Sequence, residues 1–266
     1  MMVKIIGILN ITPDSFSDGG KFFKLKDALK QAEKLISEGA DILDIGGESS
    51  RPGSITISER EEINRVIPVI RQIKKKFPKI PISIDTYKKE VAEAAISEGT
   101  EIINDIYGLR WQNGIMADTI AKNKVFVIIM HMLGNPCCMQ KNPRYKNVIS
   151  DIYGFFKERI RFAESRGIKR EKIVLDPGVG FGKTLKHNLQ IFKNIPEFKK
   201  LKLPVMIGPS RKSFIGKLLD VDIFSRLEGT IAASIVSIAN GADYLRVHDV
   251  LQVKRAVTVF EAIKNV

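Results

Sequence analysis

Short apolar runs recur along the chain, and each ends in a polar residue at or near glycine, proline or serine. An apolar run that is buried on both faces cannot easily carry a charge inside, whereas a charge at its end can reach a solvent cleft. Eight such ends, separated by segments of helix length, predict one shared site at the carboxyl ends of eight strands, as in a (β/α)8 barrel. The runs are IIGILNITPDSFSDGG at 5–20, DILDIGGESSRPG at 41–53, PISIDT at 81–86, EIIND at 101–105, VFVIIMHMLGNP at 125–136, KIVLDPGVGFGKT at 172–184, VMIGPSRKS at 205–213 and ADYLRVHD at 242–249.

The order of elements supports this fold. Strand and helix alternate with a repeat of roughly 33 residues, which fits a (β/α)8 unit, and Ser58 followed by Glu61 has the spacing of a capping box. We expect one α/β domain, a TIM barrel over residues 1–266. The predicted strands are 4–9, 41–45, 81–85, 101–104, 125–130, 172–175, 204–208 and 243–247. The predicted helices are 27–39, one from about 58, 87–98, 113–123, 147–166, 185–194, 225–241 and 249–264.

A doubly wound open sheet would show the same alternation, but its ligand residues would collect at one switch point. Here functional-looking residues follow nearly every strand, which favours the barrel. Two predicted loops, 10–26 and 46–57, are longer than usual connections, and long glycine-rich loops at a barrel mouth are often lids.

Composition narrows the class of protein. The chain has 266 residues, of which 44% are apolar, so it can bury a sizeable core. No apolar stretch approaches the ~20 residues of a membrane span, and the N-terminus lacks a signal-peptide pattern. The only two cysteines, Cys137 and Cys138, are adjacent and would make a poor disulfide. We therefore expect a cytoplasmic protein with no membrane partner.

The formal net charge of +13 allows either a nucleic-acid binder or an enzyme with an anionic substrate. The basic residues are spread along the whole chain, and the densest run, 71–79, has the character of a helix end, where cations complement the helix dipole. No nucleic-acid-binding signature accompanies this charge. We therefore expect no nucleic-acid partner.

Several basic and hydroxyl residues follow predicted strands and could bind an anion. Arg51 lies in ESSRPG, Arg211 and Lys212 lie in GPSRKS, and Arg246 and His248 lie in RVHD. The loops after strands 7 and 8 of barrels often bind phosphate, and arginine binds it bidentately. A lone arginine is usually a solvated surface charge, but this group at strand ends favours a phosphate or diphosphate site.

Acids and an amide end other strands at the same mouth. Asp85, Asn104 and Asp176 would suit a flat heterocycle that donates ring N–H and amino hydrogens. Asp44 is as easily explained by local backbone contacts as by a ligand. Met130 is either core filling or a wall against an aromatic ligand. GVGFGKT is not a Walker A loop, and the three histidines lack zinc-site spacing.

Together these segments resemble those of dihydropteroate synthase. GILNITPDSFSDGG, LDIGGESSRPG, SIDT, IND, MHMLGNP, LDPGVGFGKT, GPSRKS and RVHD occur in that family's order from residue 7 to 249. The resemblance implies a transferase of folate biosynthesis on a (β/α)8 barrel. Such an enzyme condenses 6-hydroxymethyl-7,8-dihydropterin diphosphate with 4-aminobenzoate, releases diphosphate, and is a sulfonamide target.

The resemblance also assigns residues to roles. Magnesium would accompany the diphosphate, with Asn10 as its protein contact, and Asp44 would lie near the pterin. The expected pterin contacts are Asp85, Asn104, Asp176 and Lys212, with Met130 as a wall against the ring. The expected diphosphate contacts are Asn10, Ser50, Arg51, Arg246 and His248. The expected 4-aminobenzoate pocket is Phe16, Pro52, Phe181 and Ser213, and the residues expected to act in catalysis are Asp18, Arg51 and Lys212.

The implied reaction is dissociative: neutralised diphosphate departs, and a cation remains that Asp18 on a lid could stabilise. The alternatives are a pterin-dependent methyltransferase, which needs no diphosphate clamp, a synthase with another arylamine, and a basic binding protein on a barrel scaffold. The resemblance implies a homodimer through the later helices. Departures from the family pattern at Ser50, Tyr87, Lys89, Tyr107 and Cys138 affect pocket shape and sulfonamide sensitivity.

Overall fold

The computed structural model describes residues 3–12, 21–49 and 53–266. Within these residues, eight strands alternate with helices along the chain. The strands are β1 (Lys4–Asn10), β2 (Ile42–Gly46), β3 (Ile82–Asp85), β4 (Ile102–Asp105), β5 (Phe126–Met130), β6 (Ile173–Asp176), β7 (Met206–Ile207) and β8 (Tyr244–Val247). The helices are α1 (Lys21–Ser37), α2 (Glu59–Lys76), α3 (Lys89–Ser97), α4 (Ile115–Asn123), α5 (Val148–Ser165), α6 (Leu185–Lys193), α7 (Ile195–Lys199), α8 (Ser213–Leu219), α9 (Leu227–Ala239) and α10 (Val250–Lys264).

The strands form one parallel sheet that closes on itself. Their order is β6-β5-β4-β3-β2-β1-β8-β7. The two ends of this order meet where Leu175 in β6 pairs in parallel with Val205, just before β7. Leu175 N–H also donates to the Pro204 carbonyl over 2.9 Å. This closure confirms the predicted (β/α)8 barrel.

The barrel interior is built in layers because residues two apart along a strand share a face. An apolar layer comes first, and an isoleucine, valine, methionine or tyrosine from most strands fills it. Two positions further along the same strands, the inner face becomes largely polar. The apolar layer is Ile6, Ile42, Ile102, Ile128, Val174, Met206 and Tyr244. The positions above it are Ile8, Asp44, Asn104, Met130, Asp176, Gly208 and Arg246.

Outside the barrel, the larger core lies between the strands and the surrounding helices, and it contains most of the buried isoleucine, leucine and valine side chains. A smaller cluster lies at the mouth, where Tyr87, Met130, Met132 and Met139 pack with Ile106. Within the described ranges, no helix is both long and apolar enough to cross a membrane.

The helix and strand predictions were right in kind and differ mainly at their ends. Ser58 caps α2 as predicted, because its Oγ accepts the Glu61 N–H over 3.2 Å. The other half of the capping box is replaced, since the Glu61 carboxylate pairs with Arg65 at 2.9 Å. Helix α1 begins six residues earlier than predicted. The short helices α7 and α8 were not predicted, because five and seven residues are too few to show a periodicity.

Candidate active site

The polar layer of the barrel opens into a small pocket. Seven residues predicted to bind the pterin, the diphosphate or 4-aminobenzoate line it together, although they come from six different strands or the loops that follow them. This juxtaposition follows from the parallel sheet, which brings the carboxyl ends of its strands to one edge. The lining residues are Asp85, Asn104, Ile106, Met130, Asp176, Val179, Phe181, Gly208, Lys212 and Arg246.

Arg246 lies between two carboxylates at the base of this pocket. Its Nε donates to Asp44 Oδ2 over 2.6 Å, and its Nη2 donates to Asp85 Oδ2 over 2.7 Å. Burial alone would lower the pKa of Arg246, but these two carboxylates raise it. Burial raises the pKa of Asp85 to about 7, with a further increase from Asp44, while Arg246 opposes the change. The guanidinium therefore stays charged and offsets part of the negative charge at the floor of the site.

Asp44 lies beneath the pocket and contacts the side chains of Arg246 and Asn104, whereas the sequence had offered only a ligand or local backbone groups as its partners. It is fully buried, and its Oδ2 also accepts the Asn104 amide over 3.2 Å. Asp44 does not line the pocket. Its contacts orient Arg246 and Asn104, so it acts on a ligand only through these two side chains.

Two of the residues that line the pocket, Asn104 and Asp176, carry buried hydrogen-bond acceptors. Asn104 Oδ1 is buried and has no hydrogen-bond partner among the described residues. Asp176 is buried, and its Oδ1 accepts the Gly178 N–H over 2.7 Å, which fixes the carboxylate orientation. Burial raises the pKa of Asp176, with opposing effects from Gly178 and Lys212. A buried acceptor without a partner is costly, so a heterocycle with N–H donors fits this wall.

Lys212 and Phe181 form the opposite wall. The Lys212 Nζ lies 4.3 Å from the centre of the Phe181 ring. Burial lowers the pKa of Lys212 to about 8, and nearby Arg246 lowers it further. Gly180 leaves room for this side chain, since a β-carbon there would lie 3.3 Å from Lys212 Cδ. The pocket thus joins an aromatic face to a poorly solvated ammonium group.

The remaining predicted residues lie at the rim or outside the described part of the chain. Asn10 ends β1 and His248 follows β8, and both are partly buried, while Ser213 is exposed at the start of α8. Phe16, Asp18, Ser50, Arg51 and Pro52 lie outside the described residues. Arg211, which the GPSRKS motif offered as an anion contact, instead pairs with Asp249, with Nη2 and Oδ1 2.5 Å apart.

Lys183 is a buried lysine that the sequence did not single out, and burial lowers its pKa to about 7. Its Nζ lies 3.0 Å from His131 Nδ1, and it donates to the carbonyls of His131 and Phe181 over 3.2 and 2.9 Å. Burial lowers the pKa of His131 to about 2, with help from Lys183. Lys183 thereby joins the end of β5 to the loop that carries Phe181. The only sequence signal for Lys183 was its position in GVGFGKT, and that motif is not a Walker A loop, so it assigned no role to the lysine.

Comparison with known proteins identifies the family of this chain. The family described as "pterin binding enzyme" matches residues 6–248. The chain therefore belongs to the pterin-binding enzyme family.

Several relatives of this chain are dihydropteroate synthases. That of Clostridium beijerinckii is 47% identical over 97% of this chain and 93% of its own, and that of Escherichia coli K12 is 45% identical over 97% and 90%. The Yersinia pestis dihydropteroate synthase, solved with a sulfonamide drug complex, superposes with a TM-score of 0.94 at 40% identity, covering 100% of this chain and 95% of that one. The Xanthomonas albilineans enzyme, solved with 7,8-dihydropteroate, gives a TM-score of 0.90 at 38% identity, with coverage of 100% and 95%.

Proposed function

We propose that this protein is a dihydropteroate synthase, a transferase that condenses 6-hydroxymethyl-7,8-dihydropterin diphosphate with 4-aminobenzoate and releases diphosphate. The observation that carries the proposal is the polar inner layer of the barrel. It brings Asp85, Asn104, Asp176 and Lys212 around one pocket, and this set matches the donors and acceptors of a pterin ring. The synthase relatives, which cover nearly the whole chain, support the same reaction.

The pterin ring occupies the pocket between Met130 and Phe181. Asn104 Oδ1 and the Asp176 carboxylate accept hydrogen bonds from ring N–H and amino groups, because both acceptors are buried and oriented. Asp85 lies beside them and is held by Arg246. Lys212 donates to the oxygen or nitrogen acceptors of the ring, which suits an ammonium group that burial has left short of partners.

We assign the contacts to the diphosphate to Asn10, Ser50, Arg51, Arg246 and His248. Arg246 donates one N–H from Nε and one from Nη2 to the two carboxylates, so both N–H groups of Nη1 and the second N–H of Nη2 remain as donors for phosphoryl oxygens. Within the described ranges, no group of three or more histidine, cysteine, aspartate or glutamate side chains could hold a metal ion. A magnesium ion there would take most ligands from the diphosphate and water, with Asn10 as the protein oxygen, which is how Mg²⁺ is usually bound.

The reaction needs no protein nucleophile. The bond between the pterin methylene carbon and the bridging oxygen breaks, and its electron pair leaves with the diphosphate. Magnesium, when bound, neutralises charge on that leaving group. The amine nitrogen of 4-aminobenzoate then forms the new C–N bond and loses a proton. Asp18 stabilises the cationic intermediate, and Phe16, Pro52, Phe181 and Ser213 form the pocket that holds the amine.

Replacing Arg51 with alanine should affect turnover and pterin binding differently. We expect turnover to fall by about 100-fold, because the leaving group loses a bidentate cation, while binding of 6-hydroxymethylpterin without its diphosphate changes little. Steady-state kinetics and calorimetric titration measure the two effects. Arg60→Ala, which removes an exposed arginine from α2, is the control. Equal losses in turnover and in binding of the free pterin would contradict this division of roles.

The direct test of the proposed function is diphosphate release by the purified protein with magnesium and the dihydropterin diphosphate. Release that requires 4-aminobenzoate and yields dihydropteroate establishes the synthase, and inhibition by a sulfonamide would then be expected. Release that requires a different arylamine would indicate a synthase with another acceptor. Pterin binding with no release would favour the methyltransferase alternative.

We further propose that the enzyme is a cytoplasmic homodimer formed through its later helices. Large apolar side chains lie exposed there: Leu218 and Leu219 at the end of α8, Phe224 before α9, and Val236 within α9. Phe224 is 84% exposed, which is unusual for a phenylalanine that has no partner surface. Light scattering after size-exclusion chromatography should give twice the mass of the chain, and Phe224→Ser should shift the species towards the monomer.

A further inference from the structure

Two consecutive residues after β7 contact two consecutive residues after β8. Ser210 Oγ lies 3.0 Å from His248 Nδ1 and accepts the His248 backbone N–H over 3.2 Å. The next residue along, Arg211, donates from Nε and Nη2 to the Asp249 carboxylate over 3.0 and 2.5 Å. We call this pair of contacts the Ser210–Arg211 clasp. It fixes His248 against the loop that carries Lys212.

The hydrogen-bond donors of the clasp decide where His248 carries its proton. The Ser210 Oγ already accepts the His248 backbone N–H, so its own hydroxyl hydrogen needs an acceptor. Ser210 is buried, and among the described residues His248 Nδ1 is the acceptor within hydrogen-bond distance of its hydroxyl. Leaving a buried hydroxyl hydrogen without a partner is unfavourable. The hydroxyl therefore donates to Nδ1, and the imidazole proton lies on Nε2.

The surroundings also keep this imidazole neutral. Burial lowers the pKa of His248 to about 3, and the charges of Arg246 and Arg211 lower it further, while Asp249 opposes them and Lys212 adds to them. Asp249 is committed to Arg211 and raises the pKa of that guanidinium. His248 is thus a neutral donor among cations.

The backbone of Arg211 is also held by residues at the start of α9. Arg211 has a φ of 54°, which is uncommon for a residue other than glycine. Its backbone N–H donates to Thr230 Oγ1 over 3.0 Å, and its carbonyl accepts Arg226 Nη1 over 3.0 Å. These contacts with the start of α9 hold the turn in this conformation. The position of Ser210 beside His248 is therefore set by the fold and does not depend on a bound ligand.

We propose that Ser210 is a positioning residue that holds His248 as a neutral imidazole with its proton on Nε2, so that Nε2–H is the hydrogen-bond donor offered to the diphosphate. The Arg211–Asp249 pair keeps the two segments aligned. This inference rests on the proposed function for the role of His248. It deepens that function, because the histidine then contributes a directed hydrogen bond and the arginines contribute the charge.

The test uses the intact protein labelled with ¹⁵N-histidine. The chain has three histidines, so His187→Gln and His248→Gln are enough to assign the spectrum. Long-range ¹H–¹⁵N correlation at pH 7 distinguishes the two neutral tautomers from imidazolium. We expect His248 as the Nε2–H tautomer in the unmodified chain, a mixture of tautomers in Ser210→Ala, and the Nε2–H tautomer again in Ser210→Thr, which keeps a hydroxyl.

Variants that lose the Nε2–H tautomer of His248 should also lose kcat/KM for the dihydropterin diphosphate. In Ser210→Ala we expect kcat/KM for the dihydropterin diphosphate to fall about tenfold, with the KM for 4-aminobenzoate changed less than twofold. Ser210→Thr should recover most of this loss. His187→Gln, which alters a histidine at the start of α6, should leave the kinetics unchanged.

Finding His248 protonated, or with its proton on Nδ1, would overturn the proposal whatever the activity. It would also be overturned if Ser210→Ala kept both the tautomer and the kinetics. The spectrum can be recorded without turnover, and titration with magnesium diphosphate should move the Nε2 signal of His248. A chain without synthase activity that still shows this tautomer and this movement would refute the proposed function and support the clasp.

Discussion

Asp176→Asn is expected to weaken binding of the dihydropterin diphosphate by about 100-fold, which is about 2.7 kcal/mol at 25 °C. The change keeps the size of the side chain, and its amide oxygen can still accept the Gly178 N–H that now bonds to Oδ1. The new NH₂ group, however, points a donor at the donors of the pterin ring. A site built to accept hydrogen bonds discriminates strongly in this way, because mismatched polar groups remain buried and unpaired.

Calorimetric titration with the dihydropterin diphosphate measures this loss directly. Asp220→Asn makes the same chemical change at an exposed residue that ends α8. Asp220 has a φ of 55°, a conformation that asparagine also adopts readily. We expect this control to bind as the unmodified chain does. If Asp176→Asn bound within threefold of the unmodified chain, Asp176 would serve only to hold Gly178.

The placement of the pterin residues could be predicted because it depends on a local pattern. Asp85, Asn104 and Asp176 each end an apolar strand, and parallel strands bring such ends to one edge. The pattern could not predict the register of the sheet, in which Asp85 pairs directly with Asn104 across β3 and β4. The inner layer below is apolar on most strands, so the switch to polar residues two positions later marks the floor of the site.

The ion pairs within the site could not be predicted, because their partners lie far apart in the sequence. Arg246 and Asp44 are 202 residues apart, yet their side chains meet. From the sequence, Arg246 was predicted only as a diphosphate contact. The structure shows that it also pairs with two carboxylates. Arg211 looked equally available for an anion, but Asp249, 38 residues later, occupies it.

Lys88→Met is expected to lower the free energy of unfolding by about 3–5 kcal/mol, the usual cost of leaving a buried charge without its partner. Lys88 Nζ is buried and donates to Glu48 Oε2 over 2.6 Å, to Glu62 Oε2 over 2.7 Å and to the Ile57 carbonyl over 2.7 Å. Glu62 is 1% exposed. Burial already raises the pKa of Glu62, and Lys88 opposes that change. Without Lys88, Glu62 must stay buried unpaired or take up a proton.

Urea unfolding measures the free energy of unfolding of Lys88→Met, and Lys89→Met, a change at the neighbouring residue, is the control. Lys89 pairs with Glu93 at 3.5 Å, and the two side chains are 31% and 48% exposed. Such a surface pair contributes less than about 1 kcal/mol. The same loss in both variants would mean that Lys88 is no more important than an exposed lysine. A loss confined to Lys88→Met, and reduced when Glu62→Gln is added, would identify the unpaired buried carboxylate as its cause. Because Lys88 bonds to both Glu48 and Ile57, it also joins the two ends of the segment that carries Ser50, Arg51 and Pro52.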